Sequence, residues 1–208
     1  MSKIDLNDLS TVQYDVLKEV GNIGAGNATT ALSLMINKRI DIGVPQVRLV
    51  DFSEISSIIG SEENVMVSIL IMLTGDISGM MMFMMNEPVA RNLVNILMGT
   101  EKSSDELFDE IELSAVMEIG NIIAGAYLRS LSELTGLSMD VSVPMLQIDM
   151  AGAILSVPAI EFSKIGDKVL LIETEFDDDI DTNVPISGYY VLVPELESYE
   201  KILESLGV

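Results

Sequence analysis

The chain has 208 residues, about half of them apolar, and carries 33 acidic side chains against 11 basic ones for a formal net charge of −22. Cys and His are both absent, which removes thiol nucleophiles, imidazole bases, disulfides and ordinary zinc sites. The acidity argues against a nucleic-acid partner, because phosphate backbones are bound by Lys and Arg.

The start, MSKIDLNDL, has no apolar h-region. The longest clean apolar stretch, near Val65 to Leu73, is too short to span a bilayer and is soon followed by Asp76. A soluble cytoplasmic protein without membrane insertion is therefore expected. Ser10-x-x-Gln13 has the form of a capping box and opens a predicted helix over 11–36. On a helical wheel Val12, Val16, Val20 and Ile23, continued by Leu17, Ala31 and Met35, form the expected buried stripe. Asp15, Glu19, Asn22 and Gly26 cluster within about 60° of one another on a different side.

The same helix contains KEVGNIGAGN at 18–27. Glycine costs a helix interior roughly 1 kcal/mol relative to alanine, so its glycines need a reason. A phosphate loop is not that reason. GNIGAGN reads G-x-x-G-x-G, a helix cap precedes it rather than a strand, and no Gly-Lys-Ser/Thr follows. Close packing of two helices, or close approach of a partner, would each explain it.

A strand is predicted near 40–50 and a short helix near 53–59. Strands near 64–73 and 78–85 share the turn Gly75-Asp76. Pro88 opens a helix that ends at Gly99. The Met-rich SGMMMFMM at 78–85 reads as a strand buried on both faces, with Met filling gaps, rather than as a ligand surface.

After a polar connector at 100–109 the pattern begins again. FDEIELSAVMEIGNIIAGAYLRSLSEL aligns without gaps on LSTVQYDVLKEVGNIGAGNATTALSLM at an offset of 99. Asp109-x-x-Glu112 repeats the cap. Glu118 and Asn121 repeat Glu19 and Asn22; Gly120 and Gly125 repeat Gly21 and Gly26; Pro144 repeats Pro45. Gly24 and Asn27 become Ile123 and Ala126, which makes the second site less small. A helix over 110–135, a strand at 139–148, a helical or irregular segment at 151–164, strands at 168–176 and 185–193, and a helix from Pro194 to Gly207 complete the second half. The acidic run ETEFDDDIDTN fails the EF-hand pattern, since Thr182 and Gly188 stand where Gly and Glu are required. A solvated hairpin loop is the better expectation.

The fold class is thus α+β, with α-β-α-β-β-α occurring twice. Residues 1–208 are expected to form one pseudo-twofold unit, repeat 1 about 10–99 and repeat 2 about 109–207. Two long helices would pack on a shared, mostly antiparallel sheet. The second half is the more acidic, with 21 acids against 4 bases in 105–208 and 12 against 7 before it.

An ionised Glu accepts hydrogen bonds and pairs with a cation, and an Asn amide offers two donors and an acceptor. Such a pair orients a water but has no base or metal of its own. It suits a reaction whose labile group sits on another protein, such as hydrolysis of an aspartyl phosphate, where positioning the water is much of the task. The spacing Asp/Ser-x3-Glu-x2-Asn-x22-Pro occurs complete at Asp15, Glu19, Asn22 and Pro45, and again at Ser114, Glu118, Asn121 and Pro144. On these residues the chain resembles the CheC family of chemotaxis phosphatases over essentially its whole length. The single-copy CheX and the extended, switch-associated FliY are less similar in layout.

The resemblance implies a phosphatase acting on the phosphorylated response regulator CheY. Asn22 and Asn121 would orient the hydrolytic water, and Glu19 and Glu118 would pair with a regulator lysine. Asp15 and Ser114 would support, and Pro45 and Pro144 would be structural. Mg2+ would come with the partner, the chain holding no metal or cofactor of its own. The deamidase CheD is a second implied partner. The alternatives are an adaptor that regulates CheD or assembles like a flagellar switch protein, and an enzyme in which Glu19 and Glu118 meet over a small molecule.

Overall fold

The computed structural model of the chain describes residues 6, 8–37, 40–42, 46–103, 106–162, 168–178 and 186–208. The helix after Ser10 runs over Thr11–Ile36 as α1. Its cap forms as the sequence indicates: Gln13 N–H donates to Ser10 Oγ at 3.2 Å and Ser10 N–H donates to Gln13 Oε1 at 3.0 Å. There follow β1 (Ile40–Ile42), β2 (Gln46–Asp51), α2 (Phe52–Ile58), β3 (Val65–Gly75), β4 (Gly79–Asn86) and α3 (Glu87–Met98). The second half takes the same order: α4 (Glu110–Thr135), β5 (Met139–Val141), β6 (Met145–Met150), α5 (Ala151–Phe162), β7 (Lys168–Asp178), β8 (Ile186–Pro194) and α6 (Leu196–Ser205). The two long helices have 26 residues each.

All eight strands join one sheet, ordered β1-β7-β8-β4-β3-β5, with β2 also on β7 and β6 also on β3. Every pairing is antiparallel. Each half therefore lays its first two strands against the other half's long hairpin. Where the sequence suggests one strand over 139–148, there are two. Val141 pairs with Leu73 and Met145 with Leu70, so three residues oppose two and the strand bulges at 142–144. Pro144, which has no N–H to give the ladder, sits in that bulge. Pro45 and Val44 lie outside the described residues, as does the loop between β7 and β8 at 179–185; residues 173–178 of the acidic run belong to β7. Pro194 also differs from expectation: it ends β8, paired with Gly79, and Glu195 caps α6.

The sheet separates two cores. Val67, Ile69, Met81, Phe83, Met85, Ile172 and Tyr190 pack with α1, α3, α4 and α6 on one face. Met66, Met80, Met82, Met84, Leu171 and Val191 pack with α2 and α5 on the other. The Met-rich β4 is thus buried on both faces, with alternate methionines serving opposite layers. By length and hydropathy alone α4 would qualify as a membrane span; its apolar side is instead buried against β3, β4 and α1.

The buried stripe of α1 is not the one its largest side chains suggest. Leu17, Val20, Gly21, Gly24, Ala25, Ala28, Leu32 and Ile36 are buried, whereas Val12 is 57% exposed and Val16 and Ile23 are only half-buried. The packing face is built from small residues, which let the helix approach sheet and neighbour closely. Hydropathy ranks Gly and Ala low, so a wheel weighted by large side chains points to the flank of that face.

Candidate functional site

On α1, Asp15 and Glu19 are exposed and Asn22 and Gly26 half-buried; on α4, Ser114, Glu118, Asn121 and Gly125 are all exposed. Each row lies opposite the packing face of its helix, because steps of three and four residues keep to one side of a 3.6-residue turn. The two rows are not identical. Asn121 faces solvent, while Asn22 Oδ1 is buried with no hydrogen-bond partner. An unpaired buried carbonyl oxygen is costly, and in a native fold such an atom calls for an explanation. Ser114 Oγ donates to its own helix at Glu110 O, 2.9 Å away, so the first motif position of the second row is occupied within α4.

The four recurrent glycines divide into two kinds. A Cβ on Gly120 would lie 2.6 Å from Cδ1 and Cγ2 of Ile69, and one on Gly21 would lie 2.9 Å from Val47 Cγ2. Gly21 and Gly120 therefore set how closely each helix lies on the sheet. A Cβ on Gly26 or Gly125 would meet nothing within 4 Å. Those two open the row itself. Gly24 has a third role: its Cβ would enter the ring of Tyr127, so α1 and α4 cross there. The change of Gly24 to Ile123 between halves thus alters the interior and not the second site. The offset of 99 relates Gly24 to Ile123 and Tyr127 to Ala28, so a small and a large residue exchange helices, and Ile123 and Ala28 are both buried in the same core. Asn27 is also outside the site, its amide donating to Ile23 O at 2.9 Å.

Two residues that the sequence reading does not place in the rows extend them. Val12 and Ile111, related by the same offset of 99, are 57% and 70% exposed. Seven residues before each glutamate, they stand about 20° from it on the wheel. The recurrence of a large apolar side chain at the first turn of both helices was the available signal, but Val12 had been assigned to the buried stripe.

The start of α4 is fixed by a charged cluster. Glu112 is fully buried and accepts from Arg91 Nη1 at 2.7 Å, Lys102 Nζ at 3.0 Å and Asp109 N–H at 2.9 Å. Arg91 also donates to Glu106 O at 2.6 Å and lies 3.9 Å over the Phe108 ring. The Asp109 N–H, then the Lys102 and Arg91 cations, hold the Glu112 carboxyl below its ordinary range against burial, which pushes the other way. Lys102 likewise lowers Asp109. This cluster orients the helix that carries Ser114, Glu118 and Asn121. The first half has neutral Gln13 at the position of Glu112.

A cleft of about 340 Å³ between Asn64, Val65, Asn86, Glu87 and Pro88 contains none of the row residues. Among the described residues no three carboxylates converge as a metal site. What each row offers is one carboxylate and one amide on an open helix face. A macromolecule can meet such a face, and the chemistry available is docking to a cation and orientation of a water.

Residues 67–161 match the family described as chemotaxis phosphatase CheX, and residues 12–48 match the CheC-like family. The chain is 34% identical to the CheY-P phosphatase CheC of Bacillus subtilis, over 97% of each chain. It is 30% identical to the flagellar motor switch phosphatase FliY of the same organism, over 69% of this chain and 38% of that one. Among solved structures, FliY of Thermotoga maritima superposes with a TM-score of 0.71 at 26% identity, covering 95% of this chain and 96% of that one.

Proposed function

The chain belongs to the CheC family of chemotaxis phosphatases, and we propose that it hydrolyses the aspartyl phosphate of the phosphorylated regulator CheY, using one row on α1 and one on α4. The observation that carries this is the placement of Glu19 with Asn22 and of Glu118 with Asn121 on the outward face of two equivalent helices. A substrate group that sits on a folded partner needs such a face and not a pocket.

In this mechanism Glu19 or Glu118 pairs with a lysine at the regulator's phosphorylation site and fixes the approach of the helix. The neighbouring Asn22 or Asn121 amide holds a water in line with phosphorus. The water oxygen bonds to phosphorus, the bond from phosphorus to the aspartyl oxygen breaks, and the free carboxylate and inorganic phosphate leave. The transition state is loose, so orientation supplies most of the gain, on the order of 10²-fold. Mg2+ would be held by the partner's phosphorylation site and by no residue of this chain, and would supply neutralisation of phosphoryl charge there. Asp15 and Ser114 support the row's first turn, and Gly26 and Gly125 leave it low enough for the partner to approach. We assign the whole chain, 1–208, to one cytoplasmic unit with pseudo-twofold symmetry, in which Pro45 and Pro144 take no part in the chemistry and Pro144 sits in the bulge between β5 and β6. CheD is a second partner on this proposal, bound on a surface not assigned to named residues.

The test is phosphate release from phosphorylated CheY with Mg2+ present. Asn22→Ala with Asn121→Ala should abolish the acceleration without lowering the thermal unfolding midpoint. Full activity in that double variant would exclude water orientation by these amides. Tight CheD binding without phosphate release by the unmutated protein would favour the adaptor role instead.

A further inference from the structure

We propose that Arg129 is a docking residue of the second row, pairing with an acidic side chain on the regulator and giving the two rows unequal affinity for it. The proposal rests on the phosphatase function assigned above. Arg129 lies on α4, eleven residues beyond Glu118, and is exposed. Eleven residues are about three turns, so Arg129 stands roughly 20° from Glu118 on the wheel and about 16 Å along the axis. It continues the line Ser114, Glu118, Asn121 and Gly125.

Among the described residues its charge has no partner. Among the described side chains, Arg48 pairs with Glu173, Arg91 with Glu112, and Lys102 with Asp109 and Glu112. Lys201 donates to Asp76 O, and Lys18 lies over the Tyr14 ring. Arg129 has no such partner among the described residues, although Glu133 stands one turn away on the same helix. In a chain of net charge −22, an unpaired cation on the row that meets a partner is the exception. Side chains on a helix lean toward its N-terminus. Arg129 therefore leans over Gly125, where a side chain would meet nothing within 4 Å, and toward Asn121.

The first row lacks this group. The position related by the offset of 99 is Thr30, whose hydroxyl turns back to Gly26 O at 2.9 Å. The second row thus carries a two-point contact of opposite sign, Glu118 for a cation and Arg129 for an anion, where the first row carries the carboxylates of Asp15 and Glu19 and no cation at the related position. Opposite charges spaced along an interface fix register and steer encounter. They select a partner that presents a lysine and a carboxylate at matching separation.

The experiment measures KM and kcat for phosphorylated CheY in the Asn22→Ala background, where only the second row acts. Arg129→Ala should raise KM about three- to tenfold at low ionic strength, and Arg129→Glu should raise it further. The effect should shrink as salt is added, with kcat held within about twofold and Arg129→Lys restoring most of the affinity. Thr30→Arg in the Asn121→Ala background should lower the KM of the first row. An unchanged KM in both Arg129→Ala and Arg129→Glu would overturn the proposal, as would a fall in kcat at constant KM. Activity persisting in Asn22→Ala/Asn121→Ala would instead overturn the assignment of the rows themselves, whatever Arg129 does.

Discussion

Replacing Gly26 and Gly125 together by alanine should raise stability and weaken docking of the regulator, whereas the same change at Gly21 or Gly120 should lower stability. All four are helical, so alanine gains roughly 0.5–1 kcal/mol per position from backbone entropy wherever its methyl is free. At Gly26 and Gly125 it is free, with nothing within 4 Å. The pair then gains about 1–2 kcal/mol, and for 208 residues each kcal/mol is worth about 2 °C. A rise of about 2–4 °C in Tm is expected. At Gly120 the methyl would lie 2.6 Å from two carbons of Ile69, about 1 Å inside ordinary carbon contact. Overpacking of that kind costs about 1–3 kcal/mol and outweighs the propensity gain. At Gly21 the nearest contact is 2.9 Å, so the loss is smaller. Ile69→Val should recover part of the Gly120→Ala loss in a double-mutant cycle. Thermal melts give the stabilities; phosphate release from phosphorylated CheY gives the docking. Gly26→Ala/Gly125→Ala should raise KM several-fold, because two added methyls lift the partner from the row. A stabilised double variant with unchanged KM would show that the open glycines serve no approach. A stabilised Gly120→Ala would refute the packing argument.

Tyr127→Phe should leave stability unchanged or raise it by up to about 1 kcal/mol. The hydroxyl is buried without a partner, burial pushes the phenol's pKa up, and the ring's packing on Gly24 and Tyr190 is retained. A clear fall in the urea midpoint would mean that the hydroxyl is bonded in solution. The cluster at the start of α4 should make stability depend on pH at both ends. The folded-state pKa values of Glu112 and Asp109 lie below their ordinary 4.5 and 3.8, so their contribution is present above those values and is lost as pH falls through the lower folded ones. That of Lys102 lies above 10.5, so its contribution is present below 10.5 and is lost as pH rises through the folded value. Urea midpoints followed across pH should show both limbs, and Lys102→Met should flatten them. Identical profiles for the two proteins would remove the cluster from the account.

The helix caps, the antiparallel hairpins and the doubly buried Met strand follow from local chemistry, and the structure bears them out. Ser10 with Gln13 and Asp109 with Glu112 satisfy orphan amides wherever they occur. An unbroken apolar run such as Gly79–Asn86 has nowhere to go but between two layers. What the sequence did not disclose depends on distance across the chain. The reason for Gly21 lies in Val47 and Ile172, and that for Gly120 in Ile69. The reason for Gly24 lies in Tyr127, more than a hundred residues away. The bulge at 142–144 exists only relative to β3. Glu112 serves a cap locally, but its burial depends on Arg91 from the first half and Lys102 from the connector. The rows were legible as positions on a wheel because exposure needs no partner. The difference between half-buried Asn22 and exposed Asn121 was not.

The crossing of the two helices bears on whether Glu19 and Glu118 could act as one carboxylate pair. α1 meets α4 through Gly24, five residues beyond Glu19 and so about 140° from it on the wheel. α4 meets α1 through Tyr127, nine residues beyond Glu118 and about 180° from it. Each glutamate therefore points away from the contact that joins the helices. Two carboxylates so directed cannot flank one small bond, as glycosidic chemistry requires. They lie on two separate faces. The same packing that buries Gly24 under Tyr127 thus divides the chain's chemistry into two rows. On the proposed mechanism, each row then has one Glu and one Asn to meet the phosphoryl group of its own partner molecule.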